Sequence, residues 1–184
     1  MDGVEAPISV VVDVDDGRWQ GDPRIEAAEA SNTVLLGRFG GETYVEVPPG
    51  ADLEPVRDAG RRAKIRCGGD AVPSVGQLAS FIRRCRELTL PFKATSGLHH
   101  AVPTGGEHGF LNLLAAAVFG DEEDALAERG AGAFRLDAGG FRWRDRAAGP
   151  DQIARVRRGL FVAIGSCSAQ EPADELRALR ILPL

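Results

Sequence analysis

Two spacings alternate along the chain. Short apolar runs rich in β-branched residues occur at 8–14 (ISVVVDV), 32–39 (NTVLLGRF), 43–48 (TYVEVP), 63–69 (AKIRCGG), 90–97 (LPFKATSG) and 160–168 (LFVAIGSCS), and read as strands. Between them apolar positions recur every three to four residues. The clearest such segment starts at Ser74, where Gln77 completes a capping box and Leu78, Phe81, Ile82, Cys85 and Leu88 share a face opposite Arg83, Arg84, Arg86 and Glu87. Further helices are expected at 53–60, at 108–120, as a short exposed helix around 125–128, at 150–157 after Pro150 and at 172–179 after Pro172. Residues 133–145 read as a hairpin about Gly139–Gly140, rich in arginine and holding Trp143.

Strand alternating with helix predicts an α/β fold with a mostly parallel sheet. The chain of 184 residues is short against the roughly 250 of a full eight-fold barrel. The expectation is a short or incomplete TIM-barrel-like parallel β/α fold over a single domain, 1–184, completed as a homodimer or by a partner chain.

Composition narrows the partners. The chain is 43% hydrophobic and 27% charged with a formal net charge of -5, so a core without disulfide or metal support is expected. Its positive charge is dispersed, which argues against nucleic acid. No apolar run approaches a membrane span and no basic leader precedes one. Cys67, Cys85 and Cys167 form no CxxC pair. A cytoplasmic protein that acts on a small molecule without cofactor or metal is the expectation.

Of the 22 basic residues all but Lys64 and Lys93 are arginine, and both lysines lie inside strand-like segments. A buried lysine can lose its proton and arginine effectively cannot, so the two retained lysines are candidate chemistry. Alternation places Lys64 with Arg66 and Lys93 with Thr95 on one face, and neighbouring strands would set Glu46 beside them. Such a lysine, close to another cation and desolvated, is a nucleophile toward carbonyls, with Glu46 moving protons. The competing reading of the same residues is a buried ion pair between Glu46 and one lysine.

His99, His100 and His108 are the chain's three histidines and fall within ten residues after the Lys93 strand. Neither HxH nor HExxH spacing is present, so acid–base work by His99 or His100 is expected rather than a metal site. Arg66, Thr95, His108, Asn112, Ser166 and Cys167 complete the expected site as substrate-binding residues near the carboxyl ends of strands. Gly68–Gly69, Gly97 and Gly105–Gly106 offer backbone amides to an anion or simply make turns.

AKIRCGG, PFKATSGLHHAV with the following HGFLN, and GSCSAQEPADELRAL resemble a family of uncharacterised bacterial proteins, across about the last two-thirds of the chain. That resemblance implies no established reaction, and the chain looks like a shortened member. Separately, KATSG is similar to the lysine strand of class I aldolases of the deoxyribose-phosphate type. This implies an imine on Lys93 with Lys64 as its neighbour, hence a lyase or aldolase acting on a carbonyl substrate. The alternatives are a non-covalent isomerase, cyclase or decarboxylase using the same residues, or a non-catalytic ligand-binding or partner subunit.

Overall fold

The computed structural model describes residues 8–12, 22–32, 39–69, 72–165 and 170–181. Six strands, β1 (Ile8–Val12), β2 (Ile25–Ala30), β3 (Glu42–Glu46), β4 (Arg62–Arg66), β5 (Phe92–Thr95) and β9 (Phe161–Gly165), form one parallel sheet in that order. The sheet curls into a half-barrel. Between β5 and β9 three short strands, β6 (Phe134–Asp137), β7 (Gly140–Trp143) and β8 (Arg146–Ala148), form a separate antiparallel sheet. The helices are α1 (Glu54–Asp58), α2 (Val75–Glu87), α3 (Phe110–Phe119), α4 (Glu122–Ala127), α5 (Pro150–Gly159) and α6 (Gln170–Ala178).

Strand alternation divides the large sheet into two unlike faces. Ala28, Ala30, Val45, Ala63, Ile65, Phe92 and Ala94 turn one way and are buried. On this side Phe81 of α2 meets Phe92 edge to face at 5.2 Å, and Phe92 stacks on Phe161 at 5.2 Å. Ring burial of this kind contributes roughly 1.5–3 kcal/mol per side chain. Glu29, Tyr44, Glu46, Lys64 and Lys93 take the other face, because the register pairs Glu29 with Tyr44, Glu46 with Lys64 and Lys64 with Lys93.

α2 starts where its capping box places it: the Gln77 amide donates to Ser74 Oγ at 3.2 Å, and the Ser74 amide donates to Gln77 Oε1 at 2.8 Å. One local expectation is corrected, and two strands appear that the pattern does not predict. The segment Ile25–Ala30, which carries no strand pattern, is a strand between β1 and β3. The short helix near residue 125 is α4, and it buries Glu122, Ala125 and Leu126 rather than lying exposed. The arginine-rich hairpin gains a third strand, β8. The strand expected at 32–39 falls on residues of which 33–38 lie outside the described set.

Candidate functional site

Glu29 lies between the two lysines. One of its carboxylate oxygens accepts from Lys64 Nζ at 2.8 Å and the other accepts from Lys93 Nζ. Lys64 Nζ also reaches Glu46 Oε2 at 2.9 Å. The order is therefore Lys93, Glu29, Lys64, Glu46, two ammonium groups alternating with two carboxylates. Lys64, Lys93 and Glu29 are buried at 6%, 8% and 7% exposure, whereas the Glu46 side chain keeps 33%.

Burial disfavours the charged form of each member, and alternation of sign offsets it. At Glu29 burial works to raise the carboxyl, and the hydrogen bonds from Lys64 and Lys93 overcome it, holding the carboxyl below its ordinary value. At Lys64 burial works to lower the ammonium, and Glu29 and Glu46 overcome it, so Lys64 holds its proton more tightly than an ordinary lysine. Lys93 Nζ stands 4.8 Å from the centroid of the Tyr44 ring, which covers it as a cation–π partner. The Tyr44 hydroxyl donates to Glu42 at 2.8 Å and accepts from Arg62 at 3.1 Å. Burial, with the Glu42 contact, pushes the phenol up to about 12, so Tyr44 stays protonated through the neutral range.

The exposed end of the cluster opens into a cleft of about 500 Å³ lined by Ser31, Glu46, Pro48, Arg66 and Gly68 among others. These residues sit at the carboxyl ends of β2, β3 and β4, where parallel sheets collect ligands. Arg66 is exposed there and among the described residues makes no hydrogen bond or ion pair with any side chain, which leaves its guanidinium available to an anion. Thr95, opposite Arg66 in register, carries a buried hydroxyl without a hydrogen-bond partner among the described residues.

The remaining expected site residues have other contacts. His99 Nδ1 lies 3.7 Å from Glu171 and His100 Nδ1 3.3 Å from Glu175, both on α6. The second Glu175 oxygen accepts the Ala101 amide. His108 is buried, and its Nε2 donates to the Pro73 carbonyl at 2.7 Å. Asn112 is fully buried and donates to the carbonyls of Ala125 and Glu128, both at 2.7 Å. Of the expected set the structure brings together Glu46, Lys64, Lys93 and Arg66. It gives the three histidines and Asn112 separate partners. Ser166 and Cys167 lie outside the described residues.

Sequence reasoning missed Glu29 and Tyr44. The signal for Glu29 was indirect: two lysines inside adjacent strands call for more than one carboxylate. Among the described residues no three His, Cys, Asp or Glu side chains are grouped to hold a metal ion, and no helix is long and apolar enough to cross a membrane. No family model, no curated protein and no solved structure matches the chain.

Proposed function

We propose that this chain is a cofactor-independent enzyme acting on a small anionic carbonyl compound, built on an incomplete β/α barrel whose cleft lies at the carboxyl ends of β2 to β4. One observation carries the reading. Glu46 belongs both to the cleft and to the buried lysine cluster, lining the former with Arg66 while its carboxylate meets Lys64 at 2.9 Å.

In this reading Arg66 holds a carboxylate or phosphate of the substrate. The Glu46 carboxylate takes the proton from the carbon next to the carbonyl, and the electron pair of that C–H bond moves onto the carbonyl oxygen as an enolate. Lys64 has three N–H donors and spends two on Glu29 and Glu46. The third supports the developing oxyanion, and its raised proton affinity suits a charge stabiliser rather than a nucleophile. Passing the proton of the adjacent hydroxyl to the enolate oxygen, and returning the proton from Glu46 to the former carbonyl carbon, completes the isomerisation of a hydroxyketone. In a lyase the same enolate arises by carbon–carbon cleavage: Glu46 takes the proton of a β-hydroxyl, that oxygen becomes a carbonyl, and the electron pair of the broken C–C bond moves onto the substrate's carbonyl oxygen.

The test is hydrogen exchange in D2O with a panel of keto acids and hydroxyketone phosphates, followed by NMR. Exchange that Glu46→Gln abolishes and that Arg66→Gln weakens through KM supports the reading. Exchange undiminished in Glu46→Gln, or none across the panel, overturns it.

A second reading is an imine on Lys93, in line with its similarity to the aldolase lysine strand. It is favoured by one asymmetry: Lys93 meets a single carboxylate where Lys64 meets two. Loss of one proton from Lys93 to solvent leaves a neutral amine, which adds to the carbonyl carbon and expels water. Borohydride trapping read by peptide mapping separates the two readings. A substrate-dependent adduct on Lys93 selects the imine, and exchange without an adduct selects the non-covalent path.

A further inference from the structure

The antiparallel sheet carries a second cleft of about 430 Å³ that shares no lining residue with the first. Its charged lining consists of Arg135, Arg142, Arg144 and Arg180, with no carboxylate among the residues that line it. In a chain of net charge -5 this is a local reversal of sign.

The arginines are not arranged for stability. Arg135 and Arg142 stand directly opposite one another on β6 and β7, and the next residue in register across β8 is Ala147. Like charges in that position destabilise a sheet unless something between them is negative. Arg144 is held by Glu128 at 2.8 Å and lies over the Trp143 ring. Among the described residues Arg135, Arg142 and Arg180 make no hydrogen bond or ion pair with any side chain. Arg144 and Arg180 also adopt left-handed backbone, with φ of 55° and 53°, a conformation that a residue bearing a Cβ resists. Such strain persists where the surroundings enforce it and gathers at binding sites. Beneath the cleft, Phe134, Phe141 and Trp143 are buried and form a firm floor.

We propose that this cleft binds a chain of phosphate groups, the di- or triphosphate of a nucleotide or an inorganic polyphosphate. Three uncommitted guanidinium groups around one volume exceed what a single carboxylate or orthophosphate satisfies. A linked row of phosphates presents paired oxygens to each planar fork in turn. Leu179 and the turn Ala131–Ala133 complete the wall with apolar surface.

The experiment is isothermal titration of the full chain with sodium tripolyphosphate, ATP, orthophosphate and a single-stranded oligonucleotide, at low and at physiological ionic strength. Tripolyphosphate is expected to bind one site, tighter than orthophosphate by about tenfold or more, with salt weakening it. The double variant Arg135→Ala/Arg142→Ala is expected to lose about tenfold or more of that affinity while melting no lower than the parent chain, because it also removes a like-charged pair. Arg155→Gln, on α5 and outside both clefts, is expected to bind as the parent does. ATP tighter than tripolyphosphate identifies a nucleotide, and equal affinity identifies the phosphate chain alone. Orthophosphate binding equal to tripolyphosphate, an unaffected double variant, loss in Arg155→Gln, or an oligonucleotide preferred over tripolyphosphate each overturns the proposal.

Discussion

Lys64 and Lys93 face one another in register on adjacent parallel strands, and a single carboxylate, Glu29, takes one ammonium on each oxygen. Two like charges side by side in a buried place repel, and the carboxylate between them offsets that repulsion. Glu29 is thus the keystone of the cluster even though it does not line the cleft.

Removing that carboxylate leaves two buried ammonium groups facing each other. Glu29→Gln is expected to lower unfolding free energy by about 3–5 kcal/mol, the range for a buried pair that loses one partner. Urea unfolding at neutral pH measures it. Adding Lys93→Met to the same chain is expected to recover part of the loss, since the repulsion then disappears. A Glu29→Gln chain as stable as the parent would show that the contacts are not maintained in solution.

The same cluster fixes the sign of the pH dependence. Glu29 has a lowered carboxyl in the folded chain, so its contribution is complete above the ordinary carboxylate range and is lost as pH falls through the lowered folded value. Lys64 has a raised ammonium, so its contribution is complete below the ordinary lysine range and is lost as pH rises through the raised folded value. Stability against pH is therefore expected to fall at both ends. Glu29→Gln should flatten the acid limb and Lys64→Met the alkaline limb, which denaturation midpoints across pH will show.

The buried thiols give a chemical check on the core. Cys67 and Cys85 are both 0% exposed. Burial pushes Cys67 up to about 12 and raises Cys85 as well, so neither supplies thiolate at neutral pH. In a Cys167→Ser background a disulfide reagent is expected to leave the folded chain unlabelled and to modify two thiols in urea. Rapid native labelling of either cysteine would mean that the α2 face opens.

How much of this was readable from sequence differs element by element. α2 was, because its start, its apolar face and its charged face all lie within one segment and agree. Glu46, Lys64 and Lys93 were, because their strands are neighbours in sheet order as well as in sequence. Glu29 was not: IEAAEA is made mostly of good helix formers, and it is a strand only because β1 and β3 pair with it on either side. The roles of Asn112 and the histidines were not legible either. Each side chain ends on a group 13 to 75 residues away, a distance at which local pattern carries no information.

Gly68 and Gly97 set how closely the loops after β4 and β5 approach. A Cβ on Gly68 would fall 2.6 Å from the Gly97 backbone, and one on Gly97 would fall 2.7 Å from Gly68 Cα in a residue with φ of +63°. Gly68→Ala is expected to cost about 1–3 kcal/mol by overpacking. Gly97→Ala should cost roughly 1–2 kcal/mol more, because alanine also resists the left-handed backbone. Thermal melts rank the two. Because Gly68 lines the first cleft, its substitution should also change the hydrogen exchange that Glu46 supports.

Asn112 clamps α3 to the end of α4 by giving both of its amide hydrogens to backbone carbonyls, those of Ala125 and Glu128. Asn112→Ala takes this donor from the Glu128 carbonyl and leaves the Ala125 carbonyl only the Glu128 amide at 3.4 Å, so it is expected to cost about 1–3 kcal/mol, the cost of leaving a buried acceptor unpaired. Asn112→Asp is nearly the same size but replaces both donors with a carboxylate aimed at two carbonyl oxygens, so at neutral pH it should be the worse of the two. The introduced acid has a folded value raised by burial and by those oxygens. Its penalty is therefore full above that value and is relieved as pH falls through it, when the protonated acid regains one of the two donors. The urea midpoint of Asn112→Asp should accordingly rise toward the parent's between neutral and mildly acidic pH, while the gap between Asn112→Ala and the parent stays constant. An Asn112→Asp chain whose gap to the parent does not change with pH would mean that this side chain does not face the two carbonyls.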